Sequence, residues 1–136
     1  MSINGVCLCG SVRYEINGKL RDAGNCHCSM CRRAHGAAYA TYASVDPKEF
    51  RWLRGEEFVS NYESSPTAGW LFCNKCGSRL GAVNKGQIDS VTLGTIEGDP
   101  GIKPLSHIFV GSKATWHDIT DELPQFEEWP PGEQWA

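Results

Sequence analysis

Cys26, Cys28 and Cys31 fall within six residues, and two further pairs flank them: Cys7 with Cys9, and Cys73 with Cys76. Thiolates are soft donors that zinc accepts readily, and thiols this close along the chain can converge on one ion. Seven divides naturally into four plus three. Four thiolates close a tetrahedral site and make it structural, whereas three protein ligands leave a position for water or substrate. The expected partition puts Cys7, Cys9, Cys73 and Cys76 on a structural zinc and Cys26, Cys28 and Cys31 on a catalytic one, two Zn²⁺ per chain. Spacing alone also admits another grouping, with Cys7, Cys9, Cys26 and Cys28 closed and Cys31, Cys73 and Cys76 open.

The other candidate residues lie close by. His27 sits between two ligands, and because neighbours in a tight turn point to different sides, it is read as supporting the site or lying at the surface. His35 follows Cys31 by four residues. A helical turn beginning there would bring it near the open site, where a histidine can shuttle a proton near neutral pH. Arg32 and Arg33 can offset thiolate charge or hold a substrate carboxylate. Trp52, Trp70 and Trp116 read as core or sheet-face residues, and His117 as a surface residue.

Positioning these groups falls to short extended segments. Val12, Tyr14 and Ile16 alternate with polar neighbours, the period of a half-buried strand, and Asn17-Gly18 follows as a turn. The segment from Cys26 to Arg33 is too crowded with ligands for a strand and is expected to form a metal knuckle opening into a helical turn. Further strands are expected over 37–43, 50–53, 58–62, 69–73, 80–83, 88–93 and 107–110, separated by breakers such as Asp46-Pro47, Arg54-Gly55 and 97–101. No long pattern at helical spacing appears. In Cys73-x-x-Cys76-Gly77 two intervening residues turn both sulfurs toward one ion, and Gly77 permits the left-handed conformation that follows. Cys7-x-Cys9-Gly10 is a tighter version. If both pairs hold one zinc, they tie the N-terminal hairpin to the middle of the chain.

Composition narrows the class. The chain has 136 residues, the size of a single domain. Seven cysteines are about 5% of the residues, too few for a disulfide scaffold, and their odd number would strand one thiol in an oxidising setting. Residues 1–20 hold no apolar run, so a reducing, cytoplasmic location with thiols on metal is expected. The net charge is −3, and residues 121–136 contribute Asp121, Glu122, Glu127, Glu128 and Glu133 with no Lys or Arg. That acidic C-terminal tail, with Phe126, Trp129 and Trp135, is expected to be irregular but laid against the body. Without a basic stripe, neither nucleic acid nor an anionic membrane is an expected partner. Nothing in the sequence assigns an oligomeric state.

The motifs together, Gly5-x-Cys7-x-Cys9-Gly10, Cys26-His27-Cys28-Ser29-x-Cys31-Arg32 and Phe72-Cys73-x-x-Cys76-Gly77-Ser78-x-Leu80, resemble the glutathione-dependent formaldehyde-activating enzyme family, which includes centromere protein V. The likeness continues through His107-Ile108-Phe109-Val110, Ser112-Lys113, Trp116 and 123–126. It implies a mostly β fold, a small antiparallel zinc-binding architecture called a β-tent, and the four-plus-three partition above. It also implies a zinc-dependent carbon–sulfur lyase that adds a small thiol, glutathione first, to an aldehyde such as formaldehyde, or cleaves such an adduct. The rival reading is a non-catalytic binding or carrier module held together by zinc, which a fourth protein ligand at the open site would favour. Iron in the closed site is a third.

Overall fold

The computed structural model describes residues 2–131; Glu133 and Trp135 of the acidic tail lie outside the described residues. Ten strands and one short α-helix make up the regular structure, in the order β1 (Ile3–Val6), β2 (Arg13–Ile16), β3 (Arg21–Cys26), α1 (Ser29–His35), β4 (Ala40–Ser44), β5 (Phe50–Arg54), β6 (Val59–Glu63), β7 (Ala68–Cys73), β8 (Arg79–Asn84), β9 (Gln87–Thr92) and β10 (His107–Ile108), with short 3-10 turns between some of them. The fold is mostly β, as the alternation of short segments implies.

The strands form two sheets. One is three-stranded, in the order β1-β2-β5, and the other seven-stranded, in the order β10-β3-β4-β9-β8-β7-β6. All pairings are antiparallel except that of β10 with β3. Tyr14 and Ile16 of β2 pack with Ala23 of β3, Ala43 of β4 and Val91 of β9, so the main core lies between the sheets. A second cluster joins Cys7, Val12, Cys73 and Leu80, with Trp52 and Phe58 against it. One cysteine of each pair, Cys7 and Cys73, is thus part of the hydrophobic interior, with Cys76 packed against it and Cys9 exposed.

Two strands go beyond the sequence reading. β3 is Arg-Asp-Ala-Gly-Asn-Cys, a composition of low strand preference. Its pairing carries an irregularity between Arg21 and Gly24, where Asp22 has a φ of 52°. β1 contains only two β-branched residues beside Asn4 and Gly5. The strand expected over 37–43 begins three residues later, because α1 runs to His35 and closes on a left-handed Gly36. The strand expected over 107–110 is cut to His107–Ile108, since Phe109 turns left-handed at a φ of 56° and a 3-10 turn follows.

The C-terminal segment is irregular and laid on the body. His107 N–H donates to the Pro124 carbonyl at 2.8 Å, and Phe126 N–H donates back to the His107 carbonyl at 2.9 Å. The Trp129 ring meets Phe109 edge-on at 5.0 Å. This return places Asp121 against His107, which in turn meets His27, and brings Trp129 near Cys26 and Cys31.

Candidate functional site

The structure gathers the seven thiols into two groups, Cys7, Cys9, Cys73 and Cys76 in one and Cys26, Cys28 and Cys31 in the other. Within each group all sulfurs lie within 4.8 Å of one another.

In the four-thiol group, the loop after β1 faces the turn after β7. Gly10 and Gly77, at φ of 80° and 81°, let each turn fold back on itself. Gly10 N–H donates to the Cys7 carbonyl and Gly77 N–H to the Cys73 carbonyl, at 3.1 and 2.7 Å. Ser78 stitches the turns together: its hydroxyl accepts from Leu8 N–H at 2.9 Å and lies 3.2 Å from the Cys76 sulfur. Zinc–sulfur bonds of about 2.3 Å put tetrahedral sulfurs ~3.8 Å apart. Cys7 and Cys9 are 3.6 Å apart, and Cys9 and Cys73 are 3.9 Å apart. The donor set fits a closed zinc site.

The three-thiol group joins the end of β3 to the start of α1. Cys28 is the helix N-cap, its sulfur accepting from Cys31 N–H at 3.3 Å. The Cys26 and Cys31 sulfurs hold the Cys28 thiol well below its ordinary range. The Cys26 and Cys28 sulfurs push Cys31 far above it. Thiolates packed this closely repel one another unless a cation lies between them. Among the described residues no histidine, carboxylate or further thiol joins this group within the same 4.8 Å. The set fits zinc with one coordination position left to something else.

A cavity of about 210 Å³ opens beside the trio. Cys26 and Cys31 form one wall, His35 and Trp70 another, and β4, β8, β9 and Trp129 the rest. His35 meets the Trp70 ring edge-on at 5.8 Å. Burial, then the nearby Arg79 guanidinium, hold its pKa down to about 4. His35 is therefore neutral at physiological pH, poised as a hydrogen-bonding wall and not as a group titrating near neutrality.

The two expected arginines diverge. Arg32 turns away, donating from Nε to the Ser112 carbonyl at 3.2 Å. Arg33 lines a shallow groove shared with Trp70 and with Arg79, a residue the sequence reading passed over. The Arg79 guanidinium sits 5.0 Å from the Trp70 ring centroid, and its buried Nε and Nη1 have no hydrogen-bond partner. The one signal was a basic residue inside the apolar run of β8.

His27 is buried, not at the surface. Its Nε2 lies 2.8 Å from His107 Nδ1, and His107 Nε2 donates to the Asp121 carboxylate at 2.9 Å. His117, expected at the surface, is half-buried, its ring 5.6 Å from Tyr39 and 6.2 Å from His27. Trp116 is the exposed one, at 71%. Burial first, with the neighbouring His107 second, holds His27 down to about 4. His107 Nε2–H donates to Asp121, which leaves His107 Nδ1 to accept from His27 Nε2–H. The residue between two candidate ligands is thereby fastened to β10 and to the C-terminal segment.

Among solved structures, the chain is similar to that of a protein from Rhodobacter sphaeroides, with 33% identity and a TM-score of 0.55, over 71% of this chain and 89% of that one. The family model described as glutathione-dependent formaldehyde-activating enzyme matches residues 2–112. That span takes in both thiol groups, both sheets and α1, and the chain belongs to the glutathione-dependent formaldehyde-activating enzyme family.

Proposed function

We propose that this chain is a zinc-dependent, carbon–sulfur lyase-type enzyme that adds a small thiol, glutathione first, to an aldehyde or related electrophile, and cleaves such adducts. The reading is carried by one observation: Cys26, Cys28 and Cys31 converge without a fourth protein ligand among the described residues, and two of them wall a cavity. An open position beside a cavity favours the enzyme over a binding or carrier module, which a fourth protein ligand would have favoured.

In the reaction the thiol sulfur forms a bond to the carbonyl carbon, the carbon–oxygen π bond breaks, and the thiol proton ends on the new hydroxyl. Zinc bound at the trio would supply positive charge that favours the thiolate form of a thiol and polarises a carbonyl. The protein's own groups do the rest. Cys26 at the end of β3, Cys28 as N-cap and Cys31 in the first helical turn hold the trio where the strand passes into the helix. The neutral His35 and the hydroxyl of Ser90 border the cavity without adding charge. Arg33 and Arg79, along the neighbouring groove, suit the carboxylates of a glutathione-like thiol. Holding both reactants next to one another contributes through proximity and orientation.

The test is calorimetry at matched pH in two buffers of different ionisation enthalpy, on protein carrying two zinc ions per chain by elemental analysis. Glutathione is expected to bind with proton release and S-methylglutathione far more weakly. Equal affinities would place the tripeptide away from the trio, and no binding of either would remove glutathione as the thiol.

A further inference from the structure

We infer that the electrophile of this chain is an apolar aldehyde about the size of a single ring, seated in the cavity beside Cys26 and Cys31; this rests on the thiol-addition reading above. Volume is the first argument. A cavity of about 210 Å³ exceeds the ~150 Å³ that accommodates benzene in an apolar protein interior. Formaldehyde, with two non-hydrogen atoms, occupies little more than one water's share of ~30 Å³. It would rattle in this space, with most of the lining left without contact.

Lining chemistry is the second. None of the described residues around the cavity is Asp, Glu, Lys or Arg. Trp70, Trp129, Tyr42, Val91 and Ile108 give it flat and branched apolar walls, and its polar groups are hydroxyls, the sulfurs of Cys26 and Cys31, and the neutral His35. Away from the Cys26 and Cys31 wall, a charged substituent would be stripped of water with no counter-charge to meet. A planar ring carrying one carbonyl meets stacking surfaces and hydrogen-bond donors instead.

Placement is the third. Trp70 borders both the cavity and the groove that holds Arg33 and Arg79. Charge therefore sorts the reactants: a carboxylate-bearing thiol belongs on the cationic side of Trp70, and a neutral carbonyl compound on the apolar side. Both compartments take lining from α1, with Met30, Arg33 and Ala34 on the groove and Cys31 and His35 on the cavity.

The experiment uses the zinc-loaded full chain and two readouts. Benzyl alcohol, an unreactive analogue of benzaldehyde, is titrated by tryptophan fluorescence and by nuclear magnetic resonance, with methanol as control. In parallel, the rate enhancement over the uncatalysed reaction is measured for glutathione with benzaldehyde, isovaleraldehyde and formaldehyde. Benzyl alcohol should bind saturably and methanol should not, and the enhancement for the two larger aldehydes should exceed that for formaldehyde at least tenfold. Ala82→Leu, which fills the cavity from β8, should weaken benzyl alcohol at least tenfold. Should that variant not fold, Trp129→Ala at the partly exposed wall should weaken it at least threefold. Enhancement of formaldehyde addition without benzyl alcohol binding would overturn the inference and leave the reaction standing. Benzyl alcohol binding that the variants weaken, with no aldehyde accelerated, would support the ligand class and sink the reaction. Absence of benzyl alcohol binding overturns the inference in every case.

Discussion

His27 and His107 have almost no contact with water, and a buried polar ring must earn its place through hydrogen bonds. Truncating His107 leaves His27 Nε2–H in the interior with no acceptor, a loss of ~1–3 kcal/mol in addition to the cavity. Asp121 is different, being half exposed, with an amide oxygen able to replace its carboxylate as acceptor. His107→Ala should therefore lower the unfolding free energy by at least ~2 kcal/mol and Asp121→Asn by less than ~1 kcal/mol. Denaturant titration of the two variants checks this. Equal losses would show that the Asp121 contact, not the His27–His107 bond, fastens the loop. The sequence displayed all three residues, but nothing in their spacing, 80 positions apart for the two histidines, reveals that they touch. A buried His pair is a long-range fact. The thiols were legible because their ligand spacing is local; Arg79 was not, since its meaning depends on Trp70 across the β7–β8 pair.

At the scale of elements, β2 shows how a period-two pattern becomes stability. Tyr14 and Ile16 are fully buried, with Tyr14 stacked on Phe50 at 5.2 Å and meeting Trp52 edge-on at 6.2 Å. Thr95 gives its hydroxyl proton to the Thr92 carbonyl at 2.8 Å, so Tyr14 donates to Thr95 Oγ1 at 2.7 Å. Burial pushes the Tyr14 phenol up to about 12 from 10. A group whose pKa is raised on folding contributes stability that is complete below the unfolded value and lost as pH climbs through the folded one. Between pH 10 and pH 12 the fold should lose about 2–3 kcal/mol through this residue alone. Tyr14→Phe should remove that part of the alkaline slope, as seen by denaturant midpoints at pH 9 and above. An unchanged slope would mean that the phenol is not what titrates. This strand was readable from alternation because one face is core and the other polar. β3 was not, since its buried positions are Ala23, Gly24, Asn25 and Cys26, held by pairing with β4 and β10 and not by side-chain preference.

Across the whole molecule, the two thiol groups differ in what they span. Cys26, Cys28 and Cys31 join the end of one strand to the helix that follows it, so losing their ion releases only a local loop. Cys7, Cys9, Cys73 and Cys76 connect the β1–β2 loop of the small sheet to the β7–β8 turn of the large one, with Cys7 and Cys73 in a hydrophobic cluster with Val12 and Leu80. Ten strands with few helical turns leave the contacts mostly long-range, so a cross-link between sheets limits how far the chain can open. Structural zinc can contribute roughly 10–16 kcal/mol at neutral pH, as much as the whole stability of a domain at roughly 5–15 kcal/mol. Cys76→Ser, which takes one thiolate from the closed set, should therefore lower Tm by at least ~15 °C, or abolish two-state melting, at the ~3–5 °C per kcal/mol of a chain this size. Cys28→Ser removes one ligand of the local set but keeps a side-chain acceptor at the N-cap, where serine is favoured, so its Tm shift should stay under about 10 °C. That variant should still hold one zinc by elemental analysis. Equal damage from the two substitutions would show that the local group also supports the global fold; greater damage from Cys28→Ser would reverse their assignment.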